Sequence, residues 1–443
     1  MAVSQDNSFL IREPTAGTRF GSREIGGTNY QQIQLVDRHG RDAGAIADHV
    51  DAFGRVRVSQ AAYVFDAQLT YDLQPLLFEQ ATAGGVTVAH DSSNRCALFT
   101  ATAATNGAYA RMQTYEHFRY QAGRSHLLFL TFNFIQHAQN CTKYIGYSDG
   151  SNGIEFQQLG DDTVQFVVKS TTSHGTETVT QPDWNIDKLD GTGASGIVLD
   201  LLKTQILVID LQALYVGRVR VGFDIDGQVV WCHQFNHANE EVYPYIASAN
   251  LPIRVGMDLS GGTATTSMLF ICSTVISEGG NEDQGGYEFA AESAANSAGN
   301  ATAAHIMSLR PSLTFNGVTN RAKIVPKSLD LIVTGNSAVQ WQLVSGATLA
   351  GGSWTGINTN YSTVEMNTAA TATVSATAQV LAMGYCPASA SQKHSVSSSV
   401  AVKTPITLNA AGTHRAQGTL TLVATGLTSA SALRAAIGWK EIR

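Results

Sequence analysis

The stretch GRVRVGFDIDGQVVWCHQFNHANE, residues 217–240, gathers Arg218, Arg220, Asp224, Trp231, Cys232, His233 and His237. Those side-chain types suit three kinds of chemistry. His233 and His237 stand four apart, the spacing that brings two imidazoles to one zinc ion on a helix. On a strand, four residues span about 13 Å, too far for a shared metal unless the chain bends sharply at Asn236. Cys232 could serve as a nucleophile only with a base and an orienting group beside it. The arginines and aromatics could instead dress a surface that another surface covers.

Other motifs lose their chemical reading to context. GTGASG, from Gly191 to Gly196, has the spelling of a dinucleotide loop. It follows a loop rather than a clear strand and runs into β-branched residues, so a turn is expected. DGSNGIE, from Asp149 to Glu155, lacks the spacing of a calcium-binding helix-loop-helix and reads as a hairpin turn. No GxSxG, HExxH or phosphate-loop signature occurs. Paired carboxylates for glycoside cleavage are set by three-dimensional separation and cannot be assigned from spacing along the chain. No catalytic, cofactor-binding or metal-ligating residue is therefore assigned, and no cofactor is expected.

The element that must position these residues is a hairpin. Asp226-Gly227 between two alternating runs is a strong two-residue turn signal. It sets Ile225 against Gln228, Phe223 against Val230, Val221 against Cys232 and Val219 against Gln234, an apolar face belonging to a core. The opposite face carries Arg218, Arg220, Gly222 and Asp224, across from Phe235, His233, Trp231 and Val229. Trp231 then covers Gly222, and Arg220 faces His233. Arg218, Arg220, Trp231, His233 and Phe235 are the candidate interface or ligand-face residues. Cys232 points to the core and is discounted as a nucleophile.

Composition agrees with sheets. Of 443 residues, 44% are hydrophobic and only 14% charged, and the formal charge is −7. There is no basic excess of the kind nucleic-acid binding needs. The five cysteines, Cys96, Cys141, Cys232, Cys272 and Cys386, are widely spaced and are expected to be reduced, as in a cytoplasm. The start of the chain lacks the pattern of a signal peptide, so the glycosylation sequons at Asn140, Asn300 and Asn360 carry little weight. The most apolar window, 196–217, is interrupted by Asp200, Lys203 and Asp210, and no membrane insertion is expected.

Along the chain, residues 1–60 are polar and Gly-rich and read as an extended arm with short strands such as QQIQLVD. Residues 61–278 are dense in strand signals, including HLLFLTFNF, DTVQFVVKST and SMLFICSTVI. One helix is suggested over 69–81, weakened by Pro75. Residues 279–304 turn abruptly to Gly, Ala, Ser, Asn and acids, the composition of a linker or surface loop. Residues 305–443 return to short strands and frequent turns. The expected fold is all-β: two antiparallel β-sandwich domains of jelly-roll or lectin-like type, preceded by an extended N-terminal arm.

The blocks FRYQAGRSHLLFLTFNF, KYIGYSDGSNGIEFQ, QPDWNIDKLDGTGASGI, KTQILVIDLQALYVGRVRVGFDIDG, CHQFNHANE, ANLPIRVGMD and ICSTVISEGG resemble recurrent segments of large β-rich virion structural proteins of tailed bacteriophages and some large DNA viruses. LRPSLTFNGVTNRAKIVPKSLDLIVTG and SWTGI extend the likeness, which covers roughly residues 115–360. The resemblance implies a virion component, assembled in the host cytoplasm, without known catalytic residues. It implies a homo-oligomer, a trimer by preference, contacting other virion structural proteins as capsid decoration, fibre, tail or baseplate. An alternative is a receptor- or carbohydrate-binding adhesion protein that holds a host surface glycan on an exposed aromatic, with Trp184, Trp231, Trp341 and Trp354 as candidates. A third reading, a depolymerase, requires clustered carboxylates in a groove. The chain is expected not to be an enzyme.

Overall fold

A computed structural model describes residues 61–388 and 406–443, apart from 213, 281–285 and 295, together with the backbone of four short strands nearer the N-terminus. The chain divides into two compact units, Met1–Val58 and Ser59–Arg443. In the first, Leu10–Arg12 pairs with Gly17–Arg19 and Ser22–Ile25 with Thr28–Gln31, giving two separate two-stranded hairpins. The expected strand QQIQLVD lies, beyond Gln31, outside the described residues.

Within Ser59–Arg443, two antiparallel sheets enclose one core. The first runs in the order Gln228–Phe235, Val219–Ile225, Gln205–Leu211, Ser125–Asn133, Ala264–Glu278, Cys96–Ala104, Val86–Asp91, with Ala62–Gln68 also on Ala264–Glu278. The second runs Glu177–Thr180, Val164–Lys169, Gly153–Gln158, Cys141–Ser148, Ile253–Leu259, Tyr109–Thr114, Phe78–Ala83. Their inner faces supply Leu128, Leu130, Phe132, Phe156, Phe166, Val221 and Phe223 to one buried cluster. Phe156 packs edge-on to Phe223 across the two sheets, with ring centroids 5.2 Å apart. Two sheets facing one core make a sandwich, with Leu, Phe and Val side chains directed inward from both.

A second buried cluster belongs to a ten-stranded sheet built from the remainder of the chain, including Leu309, Leu331, Trp341, Leu422, Ile437 and Trp439. The last strand, Ser431–Ile442, is its organiser, pairing with Tyr287–Glu292, Asn296–Asn300 and Lys323–Val333. The all-β, sandwich-like fold read from alternation and turn chemistry is thus the fold of the chain.

Two local expectations are corrected. Residues 69–81 form no helix; turns follow Leu69 and a strand begins at Phe78. Pro75 and a positive φ at Gln74 (51°) break the turn that a helix would need. Residues 279–304 are not simply a linker: Tyr287–Glu292 and Asn296–Asn300 are strands on the C-terminal sheet, although the acidic run at 281–285 lies outside the described residues. Both strands lie against Ser431–Ile442, whose own alternation supplies the buried apolar face, and Phe289 packs on it beside Trp439.

Candidate functional site

The hairpin at 217–240 forms as its turn demands. Asp226 and Gly227 both take positive φ, 55° and 77°, the pairing that a primed two-residue turn requires. Ile225 pairs with Gln228, Phe223 with Val230 and Gly222 with Trp231. Between Val221 and Gly222 the register slips, so Val221 opposes His233, Arg220 opposes Gln234 and Val219 opposes Phe235. Cys232 is the extra residue of this bulge.

The slip redistributes the candidate residues. Phe235, expected on the Arg/Trp face, joins the main core with Val219 and Val221. Trp231 is expected to be covered by a second sheet, the N-terminal arm or a neighbouring subunit. Its own chain covers it, and it is only 8% exposed. It packs with Leu127 and Val208, and the Arg220 guanidinium lies over its ring, 4.4 Å from the centroid. Arg220 is held in turn by Asp210 on the neighbouring strand, Nη2 to Oδ2 at 2.5 Å, a buried charge-assisted bond. Arg218 donates to Gln234 Oε1 at 3.4 Å. His233 Nδ1 accepts from the Asn185 backbone N–H at 3.2 Å, and its ring meets Phe235 edge-on at 4.5 Å. Cys232 is buried, and burial pushes its thiol pKa far above the usual range, which leaves it protonated and unreactive.

His233 and His237 do not converge. His237 lies beyond the strand, which ends at Phe235, and turns to a different set of partners. His237 Nε2 lies 2.8 Å from Glu177 Oε1, and the same oxygen lies 2.7 Å from His174 Nε2. The outer nitrogens are engaged too: His237 Nδ1 is 2.8 Å from the Gly217 carbonyl oxygen, and His174 Nδ1 is 3.0 Å from Glu241 Oε2. The two imidazole planes are nearly perpendicular, at 87°, with centroids 5.8 Å apart. Tyr245 stacks on His237 at 4.0 Å.

Four local structures build this cluster. The turn Thr172–Gly175, closed by a 3.2 Å backbone bond and a positive φ at Gly175 (85°), presents His174. Glu177 opens the edge strand Glu177–Thr180. A turn in which the N–H groups of Glu240 and Glu241 both donate to the His237 carbonyl carries the other histidine and its acid. Gly217, on the loop that enters the hairpin, supplies the carbonyl. Burial disfavours the charged form of His174, yet its bonds to Glu177 and Glu241 outweigh burial and raise its pKa. Burial acts upward on Glu177 as well, but the two histidines overcome it and hold its carboxyl below the usual range. The sequence displayed His237 but paired it with the wrong neighbour. The SHGTE segment, 173–177, carries a His and a Glu three apart, and nothing local ties it to a residue sixty positions on.

The tryptophans considered as sugar platforms are engaged elsewhere. Trp184 packs on Phe166 at 4.6 Å, Trp341 is buried in the C-terminal core, and Trp354 lies under Arg310 at 3.9 Å. An open groove lined by His137, Gln158, Asp162, Gln181, Asp200 and Lys203 has no Phe, Tyr or Trp side chain in its wall. GTGASG and DGSNGIE are turns: Asp187 Oδ2 accepts the Ser195 N–H at 2.7 Å, and Asp149 Oδ1 accepts those of Ser151 and Asn152 at 2.8 and 2.7 Å. The five cysteines are free thiols. No helix among the described residues is long and apolar enough to cross a membrane.

No family model matches the chain, and no curated protein does. Among solved structures it is similar to a β-glucanase of Bacillus licheniformis, 13% identical, over 49% of this chain and 99% of that one, with a TM-score of 0.31. A pseudo β-1,3-glucanase of Mycobacterium tuberculosis is 12% identical over 48% and 98%, TM-score 0.34. A Bacteroides ovatus glycoside hydrolase of the mixed-linkage glucan system is 10% identical over 48% and 99%, TM-score 0.31. These matches overturn the sequence expectation that the chain is not an enzyme, which is withdrawn. At such identities and TM-scores they assign it no reaction.

Proposed function

We propose that the chain is a structural component of a bacteriophage virion, assembling there as a homo-oligomer, a trimer by preference, in contact with other virion proteins. The observation that carries this reading is an exposed apolar patch on two adjoining loops. Val242 is 86% exposed and Tyr243 54%, beside Leu214, Tyr215 and Val216, which are also exposed. The Tyr245 N–H donates to the Tyr215 carbonyl at 2.9 Å and holds the loops together. Contiguous apolar side chains of this kind, fixed on a rigid sandwich, suit a protein–protein contact. The two N-terminal hairpins support it: a two-stranded hairpin is marginal in water alone and gains from another surface. The all-β architecture of the described residues and the resemblance over residues 115–360 support the same reading.

The test combines mass spectrometry of gradient-purified particles with the mass of the purified protein in solution. Presence at a stoichiometry matching a closed ring, and a trimer in solution that Val242→Asp with Tyr243→Asp converts to monomer, is the expected result. Absence from purified particles, or a monomeric wild-type protein, counts against the proposal.

A further inference from the structure

We propose that His174, Glu177 and His237 form a binding site for one divalent transition-metal ion of the zinc class. Their three donor atoms all lie within 4.8 Å of one another. Two imidazole nitrogens and a carboxylate oxygen are a donor set that zinc takes readily.

Tautomer logic carries the inference beyond a simple cluster. The Gly217 carbonyl can only accept, so its 2.8 Å contact fixes the His237 proton on Nδ1. Nε2 of a neutral His237 is then a bare lone pair, and it faces a carboxylate oxygen at 2.8 Å. Two lone pairs at that distance repel unless a cation stands between them. His174 repeats the arrangement, with Glu241 at Nδ1 and Glu177 Oε1 at Nε2. A metal ion held among the three donors is met by both imidazole Nε2 lone pairs and the Glu177 carboxylate, while Gly217 and Glu241 hold the outer nitrogens.

The outer contacts are those that orient metal-bound histidines: one carboxylate, one backbone carbonyl. The near-perpendicular rings suit a tetrahedral arrangement. Zinc bonds of about 2.0–2.1 Å place donors about 3.3 Å apart, so the 2.7 and 2.8 Å separations open by about half an ångström on binding. Glu177 is 32% exposed and free to make that adjustment, and its exposure leaves solvent access for a fourth ligand. The ion would clip the turn before the edge strand to the 237–241 loop, which runs on into Val242 and Tyr243. The metal site stands or falls independently of the virion reading.

The test uses untagged full-length protein, stripped with a chelator and titrated with zinc against a chromophoric competitor, and with cobalt for its visible spectrum. One ion per chain and a tetrahedral cobalt spectrum are expected. Glu177→Gln and His174→Ala should each weaken binding by about 100-fold, while His233→Ala leaves it unchanged. Circular dichroism establishes that each variant is folded; should His174→Ala fail to fold, the partly exposed Glu177→Gln decides. No uptake by folded wild-type protein overturns the site. Uptake that survives both substitutions overturns it as well.

Discussion

His126 is a fully buried imidazole on the strand Ser125–Asn133, set between Tyr120 and Tyr147, with its Nδ1 3.4 Å from the Tyr147 hydroxyl. Burial alone lowers its pKa to about 4. The unfolded chain holds this histidine near its ordinary value of about 6.5, so between those two values the unfolded state binds the additional proton. The contribution is fully present at pH 7 and is lost as pH falls from about 6.5 through 4, on the order of 3 kcal/mol in all. His126→Phe should flatten that part of the profile, read as urea midpoints at pH 7 and pH 5; an unchanged slope would show that His126 is not the group responsible. Trp231 is the second residue whose environment sets a magnitude. Its ring lies between Arg220 and the side chains of Leu127 and Val208. Trp231→Ala removes that packing and the face on which the Arg220 guanidinium lies, at a cost of about 3 kcal/mol measured by denaturant unfolding. The monomer itself should show this loss, since the cover is intramolecular; a loss seen only in the assembled state would restore the interface reading.

The hairpin shows, at the scale of an element, what a sequence can and cannot specify. The Asp226-Gly227 turn and the pairings from Ile225 to Gly222 were legible, because turn type and alternation are local properties. The bulge at Cys232 was not, because inserting one residue satisfies the sheet on either side of it rather than any local preference. Its consequence is that Phe235 changes faces. The His174–Glu177–His237 cluster was illegible for a related reason: its parts sit on a turn, an edge strand and a loop that only the closed sandwich brings together. The strand Asn296–Asn300 was hidden by its small polar residues, which pair through backbone bonds, and Tyr287–Glu292 by the Gly-rich acidic run before it. Gly222 tests the hairpin directly. A Cβ there would stand 2.3 Å from the Val230 carbonyl oxygen and 2.8 Å from the Trp231 Cα, so Gly222→Ala must push the two strands apart. A destabilisation of about 2 kcal/mol or more is expected, and a neutral result would show that the two strands do not approach so closely. Gly227, with open space around it and a positive φ, should cost only about 1 kcal/mol on the same change.

For the whole molecule, the notable feature of Ser59–Arg443 is that one compact unit contains two separate buried clusters. Contacts between the two β units among the described residues include several polar ones. Lys323 pairs with Glu116 at 2.7 Å, the Ala410 N–H donates to Glu79 at 2.6 Å, and Arg415 lies over Tyr115 at 3.6 Å. Half-buried ion pairs and single hydrogen bonds contribute little each, so neither core depends strongly on the other for its burial. Calorimetry should therefore resolve two transitions rather than one. Each should answer to its own core. Trp231→Ala should lower the transition of the first sandwich and leave the other in place. Trp439→Ala should do the reverse, since Trp439 is buried in the C-terminal cluster and donates its indole N–H to Glu441 at 3.1 Å. Glu441 raises the stakes of that change: it is fully buried and also accepts from Ser362, Thr363 and Arg443, so losing one donor leaves a buried carboxylate less well satisfied. A loss of about 4 kcal/mol confined to the C-terminal transition is expected. If both substitutions move a single common transition, the polar interface couples the two cores far more tightly than its bonds suggest, and the sandwiches fold as one cooperative body.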